Sequence, residues 1–202
     1  MIALAERPPA AASPEPAAAP LDDDTRARRV ALLFDLHYDA IWRTLRRLGV
    51  PDATVDDAAQ RVFLVAARRL ETIIEGEEGR YLYGVAVRVA SEIRRRSPAR
   101  REIADGDAML DTIADEAPGP EAILLEHEAR DALDRVLADM PDDLREVLVL
   151  AEIEGQPAPA VAAMLQIPVG TVASRLRRAR EAFTSSARRI RARLGLSVGG
   201  ER

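Results

Sequence analysis

The sequence predicts an all-α protein made of two small helical domains joined by a flexible linker. Ala, Leu, Arg and Glu dominate its 202 residues, and these are helix-forming side chains. Aromatic residues make up only 3%, and no stretch alternates Val, Ile, Tyr and Thr as a strand would. Apolar residues recur at three- and four-residue steps in two blocks. A polar, acidic stretch punctuated by Gly106, Pro118, Gly119 and Pro120 separates those blocks.

Residues 1–24 form an Ala/Pro-rich tail, with Pro8, Pro9, Pro14, Pro16 and Pro20, that cannot bury a core and is expected to be disordered. The first helical module covers 25–98. Its first helix presents Val30, Leu33, Phe34, Ile41, Leu45 and Leu48 on one side and stops at Gly49. A second helix begins around Pro51 and Asp52, with Thr54 and Asp57 at capping-box spacing. Val55, Ala58, Ala59, Val62, Phe63, Ala66 and Leu70 form its buried stripe. After the Gly76–Gly79 break, a third helix from about Arg80 to Arg96 turns Leu82, Val85, Ala86, Val89 and Ile93 inward. Pro98 ends the module, and 99–120 is the linker.

The second module covers 121–195, with 196–202 as a short disordered tail. A helix through Leu124, Leu133 and Leu137 stops near Met140, and Pro141 suits the first position of the next helix. That helix buries Leu144, Val147, Leu148 and Ala151 and ends at Gly155. A short helix over roughly 159–165, a Gly-containing turn over 166–170 and a long helix from Thr171 follow. Together they make a helix-turn-helix.

Charge separates function classes more sharply than the net value of −5 suggests. From Glu102 to Glu154 there are seventeen acidic residues against three arginines. From Thr171 to Arg193 eight arginines face Glu181 alone, and from Ala86 to Arg101 six face Glu92. Two cationic blocks flanking an acidic middle are the footprint of a nucleic-acid binder. All 29 basic residues are arginine, whose planar fork suits phosphates and guanine edges.

On the last helix Val172, Leu176, Ala179 and Phe183 face inward, which leaves Thr171, Ser174, Arg175, Arg177 and Arg178 to meet DNA. The absence of cysteine excludes disulfides and thiolate metal sites. His37 and His127 lie in no ligand spacing, so no metal or other cofactor is expected. No nucleophile–base pair or phosphate-cradling glycine loop points to an enzyme. Without a leader-like or spanning segment, a cytoplasmic protein with no membrane partner is expected.

Several stretches resemble extracytoplasmic-function (ECF) sigma factors of the sigma-70 family. Met140-Pro141, Arg145–Leu150, Glu154-Gly155 and P-V-G-T-V-x-S-R-L-x-R-A-R at Pro168–Arg180 are similar to region 4. R-R-L-G-V at Arg46–Val50, Asp56–Phe63 and Tyr81–Arg96 are similar to region 2, and the likeness runs in order over about 28–190. It implies a transcription-initiation subunit that binds core RNA polymerase and promoter DNA, with an anti-sigma factor as a possible further partner. Region 2 would be a three- or four-helix bundle.

Asp56, Asp57, Gln60 and Phe63 correspond to the surface that docks on the beta-prime clamp helices; region 4 would also meet the beta flap. Arg80, Tyr81, Tyr83, Arg88, Arg94, Arg95 and Arg96 correspond to the part that captures the melted minus-ten element. A single strand is held by stacking and positive charge, which these side chains offer. Thr171, Ser174, Arg175, Arg177 and Arg178 would read the minus-thirty-five element as duplex.

The sequence departs from the family pattern in three places. Tyr81 stands where Trp is usual and Arg88 where Asn is frequent. Pro157, Pro159 and Ala160 replace a polar cap and a Glu in the first helix of the helix-turn-helix, so that helix is expected to begin late. The alternative class is a stand-alone helix-turn-helix regulator, which would bind duplex DNA tightly and specifically without polymerase. The linker acids Asp105, Asp107, Asp111, Asp115 and Glu116 are a candidate competitor of DNA in the free protein.

Overall fold

A computed structural model describes residues 22–96 and 130–193. The tails and the linker, with its acids, lie outside the described residues. Among the described residues every regular element is helical.

Helix α1 (Asp23–Arg47) starts two residues before the predicted Thr25, because Asp22 caps it. The Asp22 carboxylate accepts the Thr25 N–H at 2.9 Å, and that bond holds its pKa below the usual value. Leu48 caps the other end and Gly49 turns the chain at φ +87°. Helix α2 (Asp52–Arg68) has Pro51 before it and no side-chain cap. The expected capping box does not form: Thr54 already lies inside the helix, and its hydroxyl donates to the Pro51 carbonyl at 3.1 Å. A 3₁₀ turn (Leu70–Thr72) leads to α3 (Glu78–Arg96).

Helices α1, α2 and α3 pack pairwise into a three-helix bundle. Leu45, Leu48, Val55, Val62, Leu70 and Leu82 are its fully buried centre. Each such aliphatic side chain contributes about 2 kcal/mol of transfer free energy.

In the second module, the described part of α4 runs over 130–138. Helix α5 (Asp142–Leu148) begins one residue after Pro141, which takes the N-cap position. Its end widens into a π-helical turn (Val149–Ile153), closed by the Glu154 N–H on the Val149 carbonyl at 2.9 Å. Gly155 then reverses the chain at φ +63°.

Helix α6 (Ala158–Leu165) starts directly after Pro157, so it does not begin late. Extended backbone at Pro157 stands in for a side-chain cap. The left-handed residue of the following turn is Gln166 (φ +54°), with Gly170 already inside α7 (Val169–Arg193). Val161 of α6 and Val172 and Ala179 of α7 are fully buried, and α7 packs on both α5 and α6.

The two modules pack against each other, chiefly α3 on α6. Helix α3 therefore has two buried faces. The predicted stripe through Leu82, Val85, Ala86 and Val89 meets its own bundle. A second stripe, Tyr83, Val87, Ala90 and Arg94 at steps of four, three and four, meets the other module.

Candidate nucleic-acid interface

Helix α7 buries Val172 and Ala179 and half-buries Leu176 and Phe183, so the opposite surface is fixed by helical phase. Ser174, Arg177 and Arg178 lie exposed on that surface, with Gly170 and Ala173 beside them. Thr171 is half-buried at the first turn, and the Ser174 hydroxyl donates back to its carbonyl at 3.0 Å. Arg177 lies 3.0 Å from Glu181 while remaining 71% exposed, so this pair is weak and yields easily to a phosphate. Arg175 is the exception among the predicted readers. It turns toward Asp143 at 3.5 Å and is 28% exposed, because its phase falls beside the buried stripe.

The outer half of α3 carries a second cationic surface. Arg80, Arg88, Arg95 and Arg96 are exposed and Tyr81 is half-buried. Arg88 is steered along the helix by its Nε donating to the Gly84 carbonyl at 2.9 Å. Arg80 pairs with Glu77 at 2.7 Å, and Arg96 with Glu92 at 2.7 Å. Arg80, Tyr81, Arg88 and Arg95 line one wall of a groove of about 850 Å³, and Ala160 and Met164 of α6 line the other.

Arg94 and Tyr83 are placed elsewhere. The Arg94 side chain is 7% exposed in the seam between modules, paired with Glu146, 3.4 Å from Asp142 and donating to the Leu48 carbonyl. Tyr83 lies beside Glu154, and burial, followed by the Glu154 charge, pushes its pKa up to about 12.

Arg145, unforeseen in the sequence, is 3% exposed and acts as a staple. Its Nε donates to the Leu137 carbonyl at 2.8 Å and its Nη2 to the Met140 carbonyl at 2.9 Å, closing the end of α4. Its Nη1 reaches the Leu48 carbonyl of the first module at 3.4 Å. A Cβ on Gly49 would collide with this guanidinium, so Gly49 is required for space as well as for positive φ.

A third surface lies on α2. Asp57 and Gln60 are exposed. Asp56 is exposed but committed, accepting from Trp42 Nε1 at 2.8 Å and from the Tyr38 hydroxyl at 3.3 Å. Phe63 is 7% exposed and packs on Phe34 with ring centroids 5.1 Å apart. Leu64 and Phe34 stay 52% and 44% exposed beside it, an apolar patch ringed by these polar groups.

Comparison with known proteins places this geometry. Residues 130–183 match the family model described as Sigma-70, region 4. The chain is 34% identical over 142 residues to the ECF RNA polymerase sigma-E factor of Escherichia coli (strain K12), covering 66% of this chain and 74% of that one. It is 34% identical over 135 residues to the RNA polymerase sigma-H factor of Pseudomonas aeruginosa, covering 63% and 69%.

Two solved structures share the fold. One is the sigma factor RpoE in complex with the anti-sigma factor NepR from Bartonella quintana (TM-score 0.58, 18% identity, 78% of this chain and 96% of that). The other is CnrH in complex with the cytosolic domain of CnrY (TM-score 0.54, 22% identity, 79% and 92%). Among the described residues, no helix is long and apolar enough to cross a membrane.

Proposed function

The chain belongs to the ECF branch of the sigma-70 family and is an RNA polymerase sigma factor, and from that premise we propose how its surfaces divide the work. The first module, 25–98, acts as region 2 and the second, 121–195, as region 4. The observation that carries the reading is the outward face of α7. Ser174, Arg177 and Arg178 stand exposed behind a helix-turn-helix, with a weakly held Glu181 as the nearest acid. An N-terminal helix end of this kind enters the major groove and reads the minus-thirty-five element as duplex. Thr171 and the first-turn N–H groups position a backbone phosphate, and Arg175 supports the helix from its flank.

On the first module, Arg80, Tyr81, Arg88 and Arg95 hold the melted minus-ten strand by stacking and charge, with Arg96 at the rim. Tyr83 and Arg94 join this surface only when the modules part. Asp57, Gln60 and the Phe63–Leu64 patch dock on the beta-prime clamp helices. Asp56 keeps Trp42 and Tyr38 in place beneath them. The second module meets the beta flap. An anti-sigma factor is a further partner, as NepR is for its own sigma factor.

The chain works in the cytoplasm and catalyses no reaction itself; polymerase supplies the chemistry. A stand-alone regulator is not favoured, because the 142-residue likeness to sigma-E is too long to lie in the second module alone. The test is reconstitution with core polymerase and mapping of start sites on genomic fragments. New, discrete starts that vanish without the chain are expected. Failure to associate with core enzyme, or unchanged starts, would contradict the reading.

A further inference from the structure

The start of α7 holds two side chains that a reading based on charge leaves without a task. Val169 is 48% exposed, and among the described residues of the second module it is the one large apolar side chain standing in solvent. Ala173, one turn further on, is exposed as well. The Pro168 carbonyl accepts the Thr171 and Val172 N–H groups at 2.9 and 3.2 Å, which closes the first turn and fixes Val169 at its head. Open space lies on the Gly170 side, and the turn from Val169 to Val172 carries neither an acid nor a cation.

Positions four apart on a helix are turned by only about 40° from one another, so they form rows along its surface. Val169, Ala173 and Arg177 make one row, and Gly170, Ser174 and Arg178 make the next. Both rows run from a small or apolar group to an arginine about 12 Å along the axis. The N-terminal residues of a recognition helix are the ones that reach base edges. Base edges in the major groove present donors, acceptors and one apolar group, the C5-methyl of thymine, which apolar side chains contact. A single valine in solvent is ordinary. A valine that heads a base-facing row, with alanine next in that row and no charge beside it, is matched to that methyl group.

We propose that Val169 and Ala173 are specificity-determining residues that read thymine methyl groups at two neighbouring base pairs, while Arg177 and Arg178 hold the bases and phosphates beyond them. The inference rests on α7 reading the minus-thirty-five element as duplex, and it adds which feature of the base pairs the first turn recognises. The test uses holoenzyme, the full chain with core polymerase, to select duplexes from a promoter pool randomised over the minus-thirty-five segment. The selected duplexes should share thymine at two neighbouring pairs. Each thymidine is then exchanged for deoxyuridine, which removes the C5-methyl and leaves the hydrogen-bonding edges unchanged.

Native holoenzyme should lose about fourfold in affinity at each of these pairs, the value of one buried methyl group. V169A trims a half-exposed side chain and leaves the core intact, and it should bind the thymidine and deoxyuridine forms of its pair alike. A173G should do the same at the neighbouring pair. R178A should weaken binding to both forms equally and keep the fourfold difference. A selected motif whose deoxyuridine forms bind as well as its thymidine forms, or a fourfold difference kept at both pairs in V169A, overturns the methyl reading and leaves the sigma-factor reading standing. Selection of no upstream motif overturns the duplex-reading role of α7, and the methyl reading with it.

Discussion

Helices α3 and α7 are both rich in arginine, yet the structure uses them in opposite ways. On α7 the arginines beyond the buried stripe face solvent, and Arg177 and Arg178 stand outward. On α3, neighbouring arginines part company: Arg95 faces the groove, while Arg94 is buried on Glu146. One residue of helical rotation, about 100°, separates a groove-lining guanidinium from an interface one. Local charge density thus locates a cationic helix, but the position of the acids decides which of its arginines face solvent.

This contrast can be broken at several points. The largest effect is expected from R145A, which removes the staple under the α3 side of the molecule. It leaves the Leu137 and Met140 carbonyls without their donor, and denaturant unfolding should register a loss of about 3 kcal/mol. Next comes G49A, which forces a side chain into φ +87° and against Arg145. A loss of about 2 kcal/mol is expected in the same assay, and a native-like stability would show that the staple can move aside.

On the α7 side, R177A and R178A should leave stability within about 0.5 kcal/mol of the native chain. Each should weaken holoenzyme binding to upstream duplex by about 1 kcal/mol, roughly fivefold, in filter binding. The smallest effect concerns pH. Tyr83 has a folded pKa of about 12, above its ordinary value of 10, so the seam is at full strength below pH 10. It should weaken as pH rises from 10 to about 12 and the phenolate forms beside Glu154. Tyr38 is also raised, by burial and the Asp56 charge, so tyrosinate absorbance should show two late-titrating tyrosines, of which only the Tyr83 step falls in E154Q.

Most of the architecture was legible in the sequence because each module keeps a clean helical period. The α2 stripe from Val55 to Ala66 is buried as read, and α7 turns Arg177 and Arg178 outward by phase, while Arg175 falls beside its buried stripe. Boundaries were less legible where backbone geometry replaced a side-chain cap. Pro51 and Pro157 start helices through extended φ/ψ, and Gln166 adopts the left-handed turn expected of a glycine.

The seam was the least legible part of the candidate site. Its signal was present in the Tyr83, Val87, Ala90 and Arg94 spacing, a second buried stripe on a helix already credited with one. Nothing local reveals that Glu146 and Glu154 receive it, because those contacts span 52 residues and more of sequence.

The division of labour is tested most directly by site-specific photocrosslinking in a reconstituted initiation complex, with a benzoylphenylalanine placed once at Arg178 and once at Tyr81. The account predicts that position 178 crosslinks to upstream duplex DNA and position 81 to the melted strand near the start site, both only when core polymerase is present. Crosslinking of position 178 alone, or equal crosslinking of both positions without polymerase, would contradict it.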